Sequence, residues 1–168
     1  MTDLAILLVF PAMMAFAAAS DLFTMTISNR ISLILIAGFF ILALTTGMSW
    51  QAIGMHALAG ALVLVVTFTL FAFGWIGGGD AKLAAATCLW LGWPQLLDYA
   101  LLSSVLGGFL TIGVLSLRGA PFHPPFLVGE GWYARITDRD TGIPYGIALA
   151  AAGLLLYPGS IWMTPVPH

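Results

Sequence analysis

The chain has 168 residues, of which 61% are hydrophobic and only 7% charged, and its mean hydropathy is +1.04. Soluble domains carry about 25% charged residues, so this composition belongs to a membrane protein. The net charge of −2 excludes the basic stripe that a nucleic-acid backbone requires, and a single cysteine, Cys88, excludes a disulfide framework or a cysteine-rich zinc site within one chain.

A hydrocarbon core of about 30 Å needs about 20 mainly apolar residues per helix. The first apolar run, residues 4–20, ends in Ala17-Ala18-Ala19-Ser20 as a cleavable leader would, but only Asp3 is charged ahead of it. Without a basic n-region it reads as a retained first span, closed by Asp21. Runs at 31–46 and 51–73 follow, then Gly77-Gly78-Gly79-Asp80 opens a short run at 81–93 that ends in Trp93-Pro94. Those turn signals predict a fourth helix that crosses only part of the bilayer. A fifth span is expected at 96–117 and a sixth at 143–161. Between them, the Pro- and Gly-rich linker 118–142 carries Trp132 and Tyr133 beside charged residues, which suits a loop at the headgroup zone, with substrate contact as the alternative. The expected fold is all-α: one polytopic domain of about six transmembrane helices.

Alternating connections allow the charges to be assigned to sides. Arg30, Lys82, Arg118, Arg135 and Arg139 all fall on the face of the odd-numbered linkers, and the opposite face holds no Lys or Arg. By the positive-inside rule that face is cytoplasmic, and both termini lie outside.

A carboxylate at the centre of a span costs about 2.5–3.5 kcal/mol on insertion scales, so acids in or beside spans are functional candidates. Asp3 precedes the first span, and Asp98 lies near the start of the fifth, where a helix N-terminus favours it. Asp21 and Asp80 share the cytoplasmic boundary and have no such simple account. Two carboxylates brought together do not both ionise cheaply, so one keeps a proton while the other acts as base. This is the equipment of aspartic proteolysis, in which one group activates water and the other protonates the carbonyl or leaving nitrogen. The dipole of the fourth helix would favour ionised Asp80, pointing to Asp80 as base and Asp21 as acid. Gly77, Gly78 and Gly79 either form a tight turn or let an extended peptide approach Asp80. GlyGlyGlyAspAlaLys lacks the Gly-Lys-Ser/Thr ending and preceding strand of a phosphate loop.

Lys82 reads as a snorkelling anchor or as a charge near the site, and Asn29 and Arg30 as loop-positioning or headgroup contacts. His56, His123 and His168 have no metal-ligand spacing, so neither a metal nor another cofactor is expected. Two other classes use the same features: a small proton-coupled transporter or channel component relaying protons through Asp21 and Asp80, and a noncatalytic assembly subunit of a membrane complex.

Three segments in order narrow the choice. Gly77-Gly78-Gly79-Asp80-Ala81-Lys82, Asp21 followed by Ile27-Ser28-Asn29, and Pro144-Tyr145-Gly146 together resemble the bacterial type IV prepilin peptidases, GxGD-type intramembrane aspartic proteases, in the short form associated with Flp/Tad pili. The resemblance runs over essentially the whole chain. It implies Asp21 and Asp80 as the catalytic pair, the three glycines, Asn29, Lys82, Pro144 and Tyr145 around the site, and a prepilin precursor as partner. The implied reaction is cleavage of the basic leader, after a glycine, at the cytoplasmic face of the bacterial inner membrane. Larger members also methylate the new N-terminus through an added region, often with paired cysteines; no such region is expected here. Ser28 stands where the family usually has proline, which predicts a looser turn after the first span.

Overall fold

The computed structural model describes residues 2–120 and 130–163, with side chains from Leu4 onward. His123, His168, the side chain of Asp3 and the proline-rich part of the 118–142 linker lie outside the described residues. The described residues form helices and turns without strands: α1 (Thr2–Thr24), α2 (Asn29–Thr45), α3 (Trp50–Ala72), α4 (Gly78–Leu91), α5 (Trp93–Gly119), α6 (Gly131–Thr137) and α7 (Gly146–Leu156), ending in a 3-10 turn, Tyr157–Gly159. Three of these are long and apolar enough to cross a membrane, within Leu4–Thr24, Trp50–Ala72 and Trp93–Gly119. Large apolar side chains such as Leu33, Val65, Phe68, Phe109 and Ile112 face outward. Such a surface suits a lipid solvent, where helices satisfy their own backbone groups.

The helices are arranged around α4. Every residue from Leu83 to Leu91 is buried, and α4 packs against α2, α3, α5 and α7. Its alanines, Ala81, Ala84, Ala85 and Ala86, leave room for close neighbours, as small residues do in membrane bundles. A Cβ at Gly60 of α3 would stand 3.1 Å from both the Ala85 carbonyl oxygen and Leu89 Cβ, so α3 crosses α4 nearly backbone to backbone. At the far end of α4, Trp90 donates to the Leu35 carbonyl at 2.9 Å and accepts from the Trp162 indole at 3.0 Å. Phe10 packs against Trp90 and stacks on Tyr157. His56 is a core group at this end: Nδ1 lies 2.8 Å from the Leu89 carbonyl and the ring stacks on Phe39. With its deep end locked, α4 carries Asp80 on a rigid support.

Several boundaries differ from the expected ones. α1 continues to Thr24, so Asp21 lies in its last turn rather than after it. α4 begins at Gly78, placing Asp80 and Lys82 in its first turns. Its 14 residues rise about 21 Å, short of a full hydrocarbon core. The linker expected as loop contains α6, tied back to α1 by the Arg135 guanidinium on the Phe23 carbonyl. Residues 143–145 form a turn ahead of α7.

The turn at Ser28 keeps the backbone geometry a proline would impose. Ser28 has φ −63°, within the range of a proline ring, and caps α2 by accepting the Arg30 N–H on its side chain at 3.3 Å. Serine thus keeps the backbone angle and adds an acceptor of the kind helix N-termini prefer.

Candidate active site

α1 ends where Met25 takes a left-handed conformation, φ 53°, and its N–H closes on the Asp21 carbonyl at 2.8 Å. Ser20 and Thr24 hold the turn through the Thr26 carbonyl at 2.8 and 3.2 Å. This turn presents Asp21 inward, 5% exposed. Its Oδ2 accepts the Gly146 N–H at 2.7 Å. That N–H is one of the donors a helix leaves unpaired at its N-terminus, so Asp21 sits at the positive end of α7.

Asp80 is held in the same way by another helix. Gly77 is the N-cap of α4, and the Asp80 carboxylate, three residues on, accepts the Gly77 N–H. This is the acidic half of a capping box. The other oxygen, Oδ1, is buried with no hydrogen-bond partner among the described residues. Both aspartates line one cavity of about 840 Å³, and their charges interact. Asp21, though in the last turn of α1, also accepts from a helix N-terminus, that of α7, so an N-terminal dipole does not by itself set Asp80 apart as the base.

The glycines serve the chain's own packing. A Cβ at Gly77 would stand 2.7 Å from Asp80 Oδ2, and one at Gly79 would meet Ile27 Cβ at 3.0 Å and its carbonyl oxygen at 3.3 Å. Gly77 therefore admits the folded-back carboxylate, and Gly79 admits the loop that follows Asp21. A Cβ at Gly146 would stand 2.5 Å from Ile27 Cδ1 and 2.8 Å from Asp21 Oδ2. Ile27 is thus seated between the glycine beside Asp80 and the glycine bound to Asp21.

Of the other expected site residues, Gly77 and Tyr145 line the aspartate cavity. Gly78 lies against the Phe71 ring and Pro144 is fully buried. Lys82 and Asn29 are brought together elsewhere: Lys82 Nζ donates to Asn29 Oδ1 at 2.8 Å, and both border a separate groove between α2, α3 and α4.

Arg118 is a residue that sequence reasoning counted only among the positive charges of one face. From the last turn of α5 it lines the aspartate cavity. It donates to the carbonyls of Ile136 at 2.7 Å and of Thr141 and Gly142 at 2.9 Å each. α5 grips the same turn again through Tyr145, whose hydroxyl donates to the Ser103 carbonyl at 3.1 Å. Its ring occupies the notch at Gly107, where a Cβ would stand 2.1 Å away. The segment 141–146 is therefore fastened to α5 at both ends, and it supplies the N–H that holds Asp21. A lone arginine ending an apolar run already has a sufficient reading as a positive-inside anchor, which is why its second task left no separate mark.

Residues 8–112, including both aspartates and the glycine block, match the type IV leader peptidase family. The chain belongs to that family. Among similar family proteins is the prepilin leader peptidase/N-methyltransferase of Aeromonas hydrophila, 36% identical over 125 residues, covering 68% of this chain and 43% of the relative. The protein of the same name from Aeromonas salmonicida is 35% identical over 127 residues, with the same coverage. That of Legionella pneumophila is 34% identical over 80 residues, covering 48% of this chain and 22% of the relative. The chain spans less than half the length of these curated relatives. No solved structure matches it. Arg118 and the 141–146 turn lie beyond the residues matched to the leader peptidase family.

Proposed function

We propose that this chain is a membrane-embedded aspartic endopeptidase that removes the basic leader of a type IV prepilin, of the Flp type, at the cytoplasmic face of the bacterial inner membrane. The observation that carries the reading is the meeting of Asp21 and Asp80, from α1 and α4, in one cavity. With one carboxylate ionised and the other protonated, the first takes a proton from water as it attacks the scissile carbonyl. The second gives its proton to the carbonyl oxygen, and a proton then reaches the leaving nitrogen. The pair titrates as a unit, so the acid and base roles belong to the dyad. The Gly146 and Gly77 N–H groups orient the carboxylates.

The orientation rests on charge: Arg30, Lys82, Arg118, Arg135 and Arg139 mark the aspartate end as cytoplasmic. Only the peptidase half of the relatives' named activities is assigned to these residues. Co-expression with a prepilin, followed by mass spectrometry of the leader, tests the assignment. Asp21→Asn and Asp80→Asn should each abolish cleavage while the protein still inserts. Full cleavage by either variant sinks the dyad.

A further inference from the structure

The aspartate cavity does not end at Asp80. A second space of about 270 Å³ meets it at Ile76, Asp80 and Tyr145 and runs along α4 between α3 and α5. Asp80, Ala84 and Cys88 follow one another at four-residue spacing on its floor, so it descends about 12 Å along α4 from the carboxylate. Ala84 and Cys88 are buried, whereas Ala100 and Ser104 of α5 are exposed, and α3 and α5 touch sparsely. The cleft is therefore open sideways, at membrane depth.

Its chemistry is opposite to that of the cavity it joins. The cavity presents Asp21, Asp80 and Arg118; the cleft presents mainly carbon. The hydroxyls on its wall are already used: Thr67 donates to the Val63 carbonyl at 2.7 Å, and Ser103 and Ser104 donate to the Ala100 carbonyl at 3.2 and 2.7 Å. The Tyr99 hydroxyl is the exception, buried without a hydrogen-bond partner among the described residues, but its oxygen is closed off and offers nothing to an occupant. An occupant gains contact and loses no hydrogen bond only if it is apolar.

We infer that this cleft is a specificity site for the apolar side chain immediately following the scissile bond, while the polar residues before the bond lie in the aspartate cavity. The inference rests on the peptidase reading and extends it. A peptide cut at Asp80 runs through the junction of the two spaces. A chain that turns from polar to apolar at the cut matches both in order. Leu70 of α3 and Ala100 of α5 flank the opening, so a bulky first residue is gripped between them and a small one is not.

The test uses the full chain in lipid vesicles and two synthetic probes. Each probe has a lysine-rich segment, a glycine, then Phe or Ala, then an apolar helix of about 20 residues. Ala100→Val and Ala100→Leu narrow the mouth at an exposed position, and Val105→Leu, exposed on α5 and outside the cleft, is the control. Both mouth variants should lower kcat/KM for the Phe probe about tenfold, within the range that one methylene or more in a pocket commands. They should leave the Ala probe at its wild-type rate, and Val105→Leu should change neither. Equal effects on both probes, or none on either, overturn the cleft while the peptidase stands. A wild-type protein that cuts neither probe overturns the peptidase reading, and the cleft with it.

Discussion

Gly146→Ala puts the hold on Asp21 to a direct test, because the hydrogen bond and the missing Cβ belong to the same residue. The new methyl carbon would stand 2.5 Å from Ile27 Cδ1, and 2.8 and 3.1 Å from Asp21 Oδ2 and Cγ. The Ile27 tip is the far end of a flexible side chain and turns aside. The carboxylate is tethered at 2.7 Å to the adjacent N–H, so it moves only by stretching that bond. Overpacking of this kind costs about 1–3 kcal/mol. Loss of a hydrogen bond to a charged group adds about 1.5–3 kcal/mol, against a gain of about 1 kcal/mol for replacing glycine in a helix. The fold should survive, with a lowered Tm. Activity should suffer more, since a displacement of about 1 Å at a catalytic group costs about 100-fold in rate. The assay is the initial rate of leader removal by the purified variant in vesicles, alongside its thermal unfolding. Wild-type cleavage by a folded Gly146→Ala protein would show that the Gly146 contact does not position Asp21.

Neighbouring glycines on α5 provide an internal contrast: Gly107→Ala meets the Tyr145 ring at 2.1 Å, whereas a Cβ at Gly108 meets nothing within 4 Å. Gly107→Ala should therefore unseat Tyr145 and slow cleavage at least about tenfold, as misplaced support for a catalytic group does. Gly108→Ala should keep full activity and gain about 0.4–1 kcal/mol of stability; similar rates for the two variants, measured with the same vesicle assay, would contradict the clamp. At the α1–α2 turn, Ser28→Ala should cost about 0.5–2 kcal/mol through the lost cap, read as a fall in Tm. Ser28→Pro should retain wild-type cleavage because φ is already −63°, and an inactive proline variant would refute that account of the turn.

Much of the site was legible because residue type alone restricts it. Asp21 and Asp80 stand out since acids beside apolar runs need a reason to be there, and three consecutive glycines ahead of Asp80 mark a tight turn or a close approach. What the glycines approach was not legible. A tight turn and room for a substrate backbone were both open, and the observed neighbours are Asp80 itself and Ile27. Lys82 had two readings, an anchor or a charge near the site; two residues from Asp80 on a helix, it is turned about 200° away, toward Asn29.

The amino-acid sequence by itself determined the solvent, the helical class and the two candidate carboxylates, since these depend on local composition and on the free energy of placing each residue in lipid. Tertiary structure decided how the carboxylates are held. The bond from Gly146 to Asp21 joins residues 125 positions apart, and Arg118 reaches the 141–146 turn across the α5–α7 connection. Such contacts depend on how helices pack, on which small residues allow backbones together, and on which helix N-terminus is aimed at which acid. No periodicity within one segment encodes them.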